Sequence, residues 1–165
     1  MDQVNARPAG SIADMLAEAS KLRQQDRDLA VASGEIVSKR ISLGMAAAAN
    51  PMQADHTEFA RMVPEKVEAF AGAGQALVTQ SKNAHQQLTQ MLLCELETAT
   101  AASMIMAGYM NPVTLAKAHA SFMLSWCERM KHNYVEAGMM ALDAHSAVME
   151  PLRRTVAVNT SRLAK

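Results

Sequence analysis

The sequence predicts an all-α fold, in which long amphipathic helices form an antiparallel hairpin or an open bundle with coiled-coil seams. Three observations carry this prediction. No stretch alternates apolar and polar residues with the Val, Ile and aromatic enrichment of a strand. Gly and Pro number only 7 and 5 among 165 residues, and they stand where they can separate long helices. Apolar residues recur at a seven-residue spacing, which is typical of helices that pack along one seam.

The length favours one domain. We expect residues 1–10 to form a disordered tail and residues 11–165 to form a single helical domain. The first residues carry no basic segment followed by an apolar core, so no secretory signal is predicted.

The first helix is predicted from its two ends. Ser11 is followed three residues later by Asp14, a capping-box pattern in which the hydroxyl accepts an amide and the carboxylate reaches back. The helix can continue to about Ala49, because Pro51 disfavours a helical conformation at Asn50.

Within this helix one apolar track repeats every seven residues and predicts a seam against another helix. Its members are Met15, Leu22, Leu29, Ile36 and Leu43. The positions that should complete the seam carry small or polar residues, among them Asp26 and Arg40, so a narrow seam is expected.

A second helix is predicted from about Asp55 to Ala107, and Pro64 either kinks it or starts a fresh helix. Its seam, with a role in helix packing or in oligomer formation, is predicted at Val63, Phe70 and Leu77. A third helix is expected to begin with Asn111 as its cap and Pro112 as its first residue, with a kink or stop at Pro151.

Charge is almost absent around the break between the second and third helices. Between Glu97 and Glu128 the only formal charge is Lys117. A surface helix normally keeps a polar face, so this region is either an oligomer core or a surface that adsorbs to an apolar object. The residues predicted to form that surface are Met104, Ile105, Met106, Tyr109, Met110, Leu115, Phe122, Met123 and Trp126. Met suits an irregular partner because its side chain is flexible.

Catalytic and metal-binding patterns are missing from the sequence. Cys94 and Cys127 have no CxxC spacing, which excludes a zinc ribbon and predicts two buried thiols in a reducing compartment. His132 can share a helix face with Glu128 or Glu136, but each pair lacks the further ligands of a metal site. We therefore expect no enzyme activity, no cofactor and no metal.

The charge balance also limits the partners. With 16 basic and 16 acidic residues the formal net charge is zero, which weighs against nucleic-acid binding. Residues 98–116 carry no charge but are too rich in Ala, Thr and Ser for a transmembrane segment. A basic group near the C-terminus suits either a helix end or an anionic partner. It consists of Arg153, Arg154, Arg162 and Lys165.

Two segments resemble bacterial phasins, the proteins associated with polyhydroxyalkanoate granules. The run Glu58–Gly74, EFARMVPEKVEAFAGAG, looks like the signature of that family. The segment Pro151–Leu163, PLRRTVAVNTSRL, is similar to the C-terminal pattern of the family, in which an Asn and an Arg-Leu pair follow a Pro.

The resemblance implies a non-catalytic, cytoplasmic protein at the surface of storage granules. Such a protein coats the polyhydroxyalkanoate, limits coalescence and influences granule size and number. Expected partners are the granule surface, further copies of the chain in a homo-oligomer, and proteins of polyester synthesis or degradation. The sequence leaves one alternative open, a soluble coiled-coil scaffold or chaperone-like adaptor that binds protein partners.

Overall fold

A computed structural model describes residues 10–164, and these form three long helices. Helix α1 spans Ile12–Ala49, α2 spans His56–Ala107 and α3 spans Pro112–Leu163, with a 3-10 turn at Pro51–Gln53 between α1 and α2. The part of the chain that is described contains no strand. The all-α prediction is therefore confirmed, with three long helices.

Helix α1 begins at the predicted capping box. The amide of Asp14 donates to the Ser11 hydroxyl at 3.1 Å, and the amide of Ser11 donates to a carboxylate oxygen of Asp14 at 2.8 Å. These hydrogen bonds, from the Ser11 backbone first, hold the pKa of Asp14 below its usual value. The predicted tail, residues 1–10, lies outside the described residues except for Gly10.

Helix α2 begins close to the predicted residue Asp55 and continues through its proline. The carboxylate of Asp55 accepts the amide of Glu58 at 2.9 Å. Pro64 lies inside the helix, so the possibility of a fresh helix at this residue is wrong. Pro64 has no N–H for the carbonyl one turn earlier, and this loss is local. Pro151 lies inside α3 in the same way and does not stop it.

The described chain divides into two compact units. Unit 1 contains residues 10–16 and Ser81–Ala141, and unit 2 contains Ala17–Gln80 and residues 142–164. Each unit therefore takes segments from all three helices. The predicted single domain over residues 11–165 stays a prediction.

In unit 2 the helix directions follow from contacts between side chains. Glu58 near the start of α2 meets Arg162 near the end of α3, and Gly72 lies against Pro151, so α2 and α3 are antiparallel.

Helix α1 runs in the same direction as α3. Asp26 meets Arg153, and Lys39 donates to the carbonyl of Leu163, so α1 and α3 are parallel. It follows that α1 and α2 are antiparallel.

The predicted track of α1 lies on the inner side of the helix. Leu22 and Ile36 are buried, and the other three members are half-buried: Met15, Leu29 and Leu43. Met15 packs on the α3 backbone in unit 1, where a Cβ atom at Gly138 would collide with its sulfur. The burial agrees with the prediction that this track packs against other helices, and a coiled-coil geometry stays a prediction.

The predicted track of α2 lies outside the packing face of the helix. Val63, Phe70 and Leu77 are exposed, whereas Ala69 and Ala73 are buried. The three predicted seam residues are therefore not covered by the other helices of unit 2. Small residues occupy the inner face because α3 comes close: a Cβ atom at Gly72 would lie 3.2 Å from the ring of Pro151. A role of the exposed track in contact between copies stays a prediction.

Candidate functional site

At the break between α2 and α3, backbone amides of the two helix ends form local hydrogen bonds. The amides of Gly108 and Tyr109 donate to carbonyls three residues earlier, both at 3.1 Å. The Asn111 side chain accepts the amide of Val113 at 2.8 Å and, at 3.4 Å, that of Thr114. Pro112 has no amide hydrogen, which suits the first helical position. The predicted cap and first residue of α3 are confirmed.

The predicted surface residues lie around this break, and we call them the apolar tip. Seven of the nine are exposed: Met104, Ile105, Tyr109, Met110, Leu115, Met123 and Trp126. Met106 and Phe122 are half-buried. Met110 is 97% exposed, so its side chain has almost no contact with the chain. Val113 and Leu124 are exposed in the same charge-poor interval and extend the surface beyond the predicted set.

Three hydroxyl groups on the α2 side of the apolar tip are already hydrogen-bonded to their own helix. Thr98 and Thr100 donate to backbone carbonyls four residues earlier, both at 2.7 Å, and Ser103 donates to the carbonyl of Thr100 at 2.8 Å. A polar group that keeps its hydrogen bond loses much less free energy when water is removed. This property was not predicted from the sequence, where these residues counted only as polar.

At the base of the apolar tip, one ion pair joins α2 and α3. Arg129 of α3 meets Glu95 of α2 at 2.9 Å, and Asn133 donates to the same carboxylate at 3.5 Å. The Arg129 guanidinium lies 5.7 Å from the centre of the Phe122 ring, within the range of a cation–π contact. The half-buried Phe122 therefore anchors the tip to this ion pair.

Unit 2 carries a second exposed apolar surface, which we call the outer α2 face. Its members are Val63, Val67, Phe70, Leu77 and Val78. Unlike the apolar tip, this face has exposed charged neighbours along the helix, among them Arg61, Lys66 and Glu68. It is thus an ordinary amphipathic face whose apolar side points away from the unit.

A partly buried ionic cluster holds the three helices of unit 2 together. Arg40 reaches Glu58 at 3.0 Å and Glu65 at 3.1 Å. Arg162 reaches Glu58 at 3.0 Å, binds Glu65 as well, and donates to the Asn159 side chain at 2.7 Å. Hydrogen bonds from Arg162 first, and then from Arg40, outweigh burial and lower the pKa of Glu65. The same contact with Glu65 raises the pKa of Arg162.

This cluster was not predicted as such, because its partners are distant in sequence. The signal that existed was two carboxylates seven residues apart, Glu58 and Glu65, on one side of α2. Two arginines and two glutamates balance in charge, and all four are engaged. The arrangement stabilises packing and offers no free acid or base for catalysis.

The basic group near the C-terminus is largely neutralised inside unit 2. Arg162 belongs to the ionic cluster, and Arg153 meets Asp26 at 3.2 Å. His145 lies 2.7 Å from the other oxygen of Asp26. Burial opposes ionisation of Asp26, but the contacts with His145 and Arg153 outweigh it and lower the pKa of Asp26. Arg153 and Arg162 are therefore already paired within the chain and are less available to the anionic partner that the sequence allowed. Lys165 lies outside the described residues.

The two thiols are exposed, so the prediction of buried cysteines is wrong. Cys94 and Cys127 lie on outward-facing positions of α2 and α3. The apolar character of a cysteine did not determine its burial. The inner positions of α2 in unit 1 are occupied by other residues, among them the half-buried Met91, Glu95 and Thr98.

A groove of about 410 Å³ runs beside the ionic cluster between α2 and α3 of unit 2. It is lined by Glu65, Glu68, Ala69, Gly72, Glu150, Pro151, Arg154, Thr155, Val158 and Asn159. Within residues 10–164 no three His, Cys, Asp or Glu side chains come together in a way that could hold a metal ion. The absence of enzyme activity and of a cofactor stays a prediction.

No family model, no curated protein and no solved structure matches this chain. In the part of the chain that the structure describes, none of the helices has an apolar stretch long enough to cross a membrane.

Proposed function

We propose that the protein is a non-catalytic coat of polyhydroxyalkanoate storage granules. It adsorbs through the apolar tip, keeps granules from coalescing and thereby influences their size and number. It belongs with the phasins by resemblance of its sequence and works at the granule surface in the cytoplasm.

The exposure of the apolar tip in a nearly charge-free interval supports this proposal most directly. Seven large apolar side chains of the predicted set are accessible to a partner without any change of fold. Transfer of a large apolar side chain from water contributes roughly 1.5–3 kcal/mol when its burial is complete. Several such contacts suffice for firm adsorption, even on a surface with no fixed shape.

A coat protein must also keep its fold when it adsorbs. The ionic contacts of unit 2 keep its helices together independently of the apolar tip, because their partners all lie within that unit. Adsorption through the tip would therefore leave this part of the fold intact.

A binding experiment with polyester particles tests the proposal. Purified protein is mixed with the particles and centrifuged, and we expect saturable adsorption at low protein concentration that detergent reverses. The tip variant Met104→Ser, Ile105→Ser, Met110→Ser should adsorb at least tenfold more weakly, with the helicity of the wild type.

The matched control replaces three exposed residues of the outer α2 face: Val63→Ser, Phe70→Ser and Leu77→Ser. It should adsorb as the wild type does. The proposal is wrong if the wild type stays in the supernatant, and the site is misplaced if only the control variant loses adsorption.

A second candidate function is a coiled-coil scaffold or adaptor that binds protein partners. One observation favours it: Val63, Phe70 and Leu77 recur every seven residues and are all exposed, as a seam for another helix would be. Failure to adsorb to polyester, together with loss of a defined protein complex in the outer-face variant, would favour this function.

A further inference from the structure

We propose that the part of the apolar tip between Met104 and Leu115 inserts end-on into the polyester phase, to a depth limited by Lys117, and does not lie flat on its surface. This inference rests on the proposed function and specifies how the same site engages its partner.

The first argument is that exposed apolar residues surround both helices at the tip. Met104 and Ile105 are adjacent on α2, Val113 and Leu115 lie two residues apart on α3 before Lys117, and all four are exposed. Adjacent residues of an α-helix project about 100° apart, so exposure is not confined to one face. A flat surface covers only one side of a helix pair, whereas a surrounding phase covers every side.

The second argument concerns the length of chain without charge. Lys117 lies five residues beyond Pro112, which corresponds to about 8 Å along α3. On α2 the nearest charge is Glu97, eleven residues before Gly108, or about 16 Å from the break. Lys117 is therefore the first charge to reach the surface. Its long apolar stem lets the ammonium group remain in water after its backbone has entered.

The third argument is that some of the polar groups at the tip need no water. The hydroxyls of Thr98, Thr100 and Ser103 are bonded to their own helix. The first amides of α3 are bonded to Asn111 through its side chain and its carbonyl. Among the described residues, no acceptor is found for the amides of Met110 and Asn111 at the break. Ester carbonyls of the polymer can accept hydrogen bonds from these two amides.

The contrast with the outer α2 face supports the same conclusion. That face has exposed charges of Arg61, Lys66 and Glu68 close to its apolar residues. Their desolvation would be costly, so it can at most lie on a surface. The apolar tip lies in the longest interval of the described chain that has a single charged side chain, Lys117.

Tryptophan fluorescence tests the depth of insertion. Trp126 lies 14 residues beyond Pro112, about 21 Å along α3, and should remain near the surface of a polyester particle. The variant Trp126→Phe with Met110→Trp moves the probe to the break. On particles we expect blue-shifted emission and at least fivefold weaker acrylamide quenching at position 110, but at most a twofold change at Trp126. Equal protection of both probes, or an accessible probe at position 110 in the bound protein, would overturn the inference.

A charge placed at the break gives an independent test. Met110→Lys should weaken adsorption to polyester particles at least tenfold, because its ammonium group would have to enter the polymer. Met52→Lys is the matched control, since Met52 lies in the other interhelical connection and is 94% exposed, against 97% for Met110. It should adsorb as the wild type does. Wild-type adsorption with an unaffected Met110→Lys variant refutes insertion alone, whereas absence of wild-type adsorption refutes the proposed function.

Discussion

At the scale of single residues, the carboxylate of Glu58 is the most informative side chain. It is 5% exposed, yet it lies in the first turn of the second helix and between two arginines from other helices. Burial of one carboxylate is tolerated because its partners bring two positive charges and several hydrogen bonds. Nothing within a few residues of Glu58 indicates this environment, so the sequence could not predict it.

Removing this carboxylate should destabilise unit 2. We expect Glu58→Gln to lower the free energy of unfolding by about 3 kcal/mol, since breaking a buried ion pair leaves uncompensated charge. Glu18→Gln is the control: its pair with Lys21 is largely exposed, and such pairs contribute at most about 1 kcal/mol. Urea unfolding followed by circular dichroism measures both, and an equal effect of the two variants would contradict the assigned role of the cluster.

The ionic contacts also predict the response to acid. The native pKa values of Glu65 and Asp26 are lowered, so both carboxylates bind protons less readily in the folded chain than in the unfolded one. Their stabilisation is complete above the usual value of 4.5 for Glu, and is lost as the pH falls through the lower native pKa. Urea midpoints should therefore be level near neutrality and fall below pH 4.5, and Glu65→Gln should reduce that fall.

At the scale of elements, helix ends were predictable and helix orientation was not. The caps at Ser11 and Asn111 act within three residues, so a local pattern identifies them. The seven-residue track of α2 correctly indicated one apolar face, but a periodic pattern does not state what covers it. The face of α2 that packs inward is the one with small residues such as Gly72. There α2 meets Pro151, which is far along the chain.

Close packing at Gly72 gives a prediction for this pair of helices. Gly72→Leu should destabilise unit 2 by about 1–3 kcal/mol, because overpacking forces the backbone or the Pro151 ring to move. Gly74→Leu should have no destabilising effect, since nothing lies within 4 Å of a Cβ atom there and Leu favours a helix more than Gly does. Thermal unfolding of the two variants measures this difference. Similar losses of stability would contradict a close contact between α2 and α3 at Gly72.

At the scale of the whole molecule, exposed apolar residues on long helices predict association between copies. Phe70 is 65% exposed on the outer α2 face, whereas Leu22 of α1 is 3% exposed. We expect Phe70→Asp to dissociate a homo-oligomer while preserving helicity, and Leu22→Asp to unfold the chain. Sedimentation at micromolar concentrations and circular dichroism separate these effects. A wild type that sediments as a monomer at every concentration would contradict the predicted oligomer.

The exposure of Met110 has a consequence for redox chemistry. Its thioether is open to peroxide, which transfers one oxygen atom to the sulfur and is itself reduced to water or an alcohol. Methionine sulfoxide is polar, so oxidation of Met104, Met110 and Met123 would turn an adsorbing surface into a hydrated one. Mild peroxide treatment should release the protein from polyester particles without loss of helicity, and methionine sulfoxide reductase should restore adsorption. The oxidation state of three side chains would then set how much of the granule surface is covered.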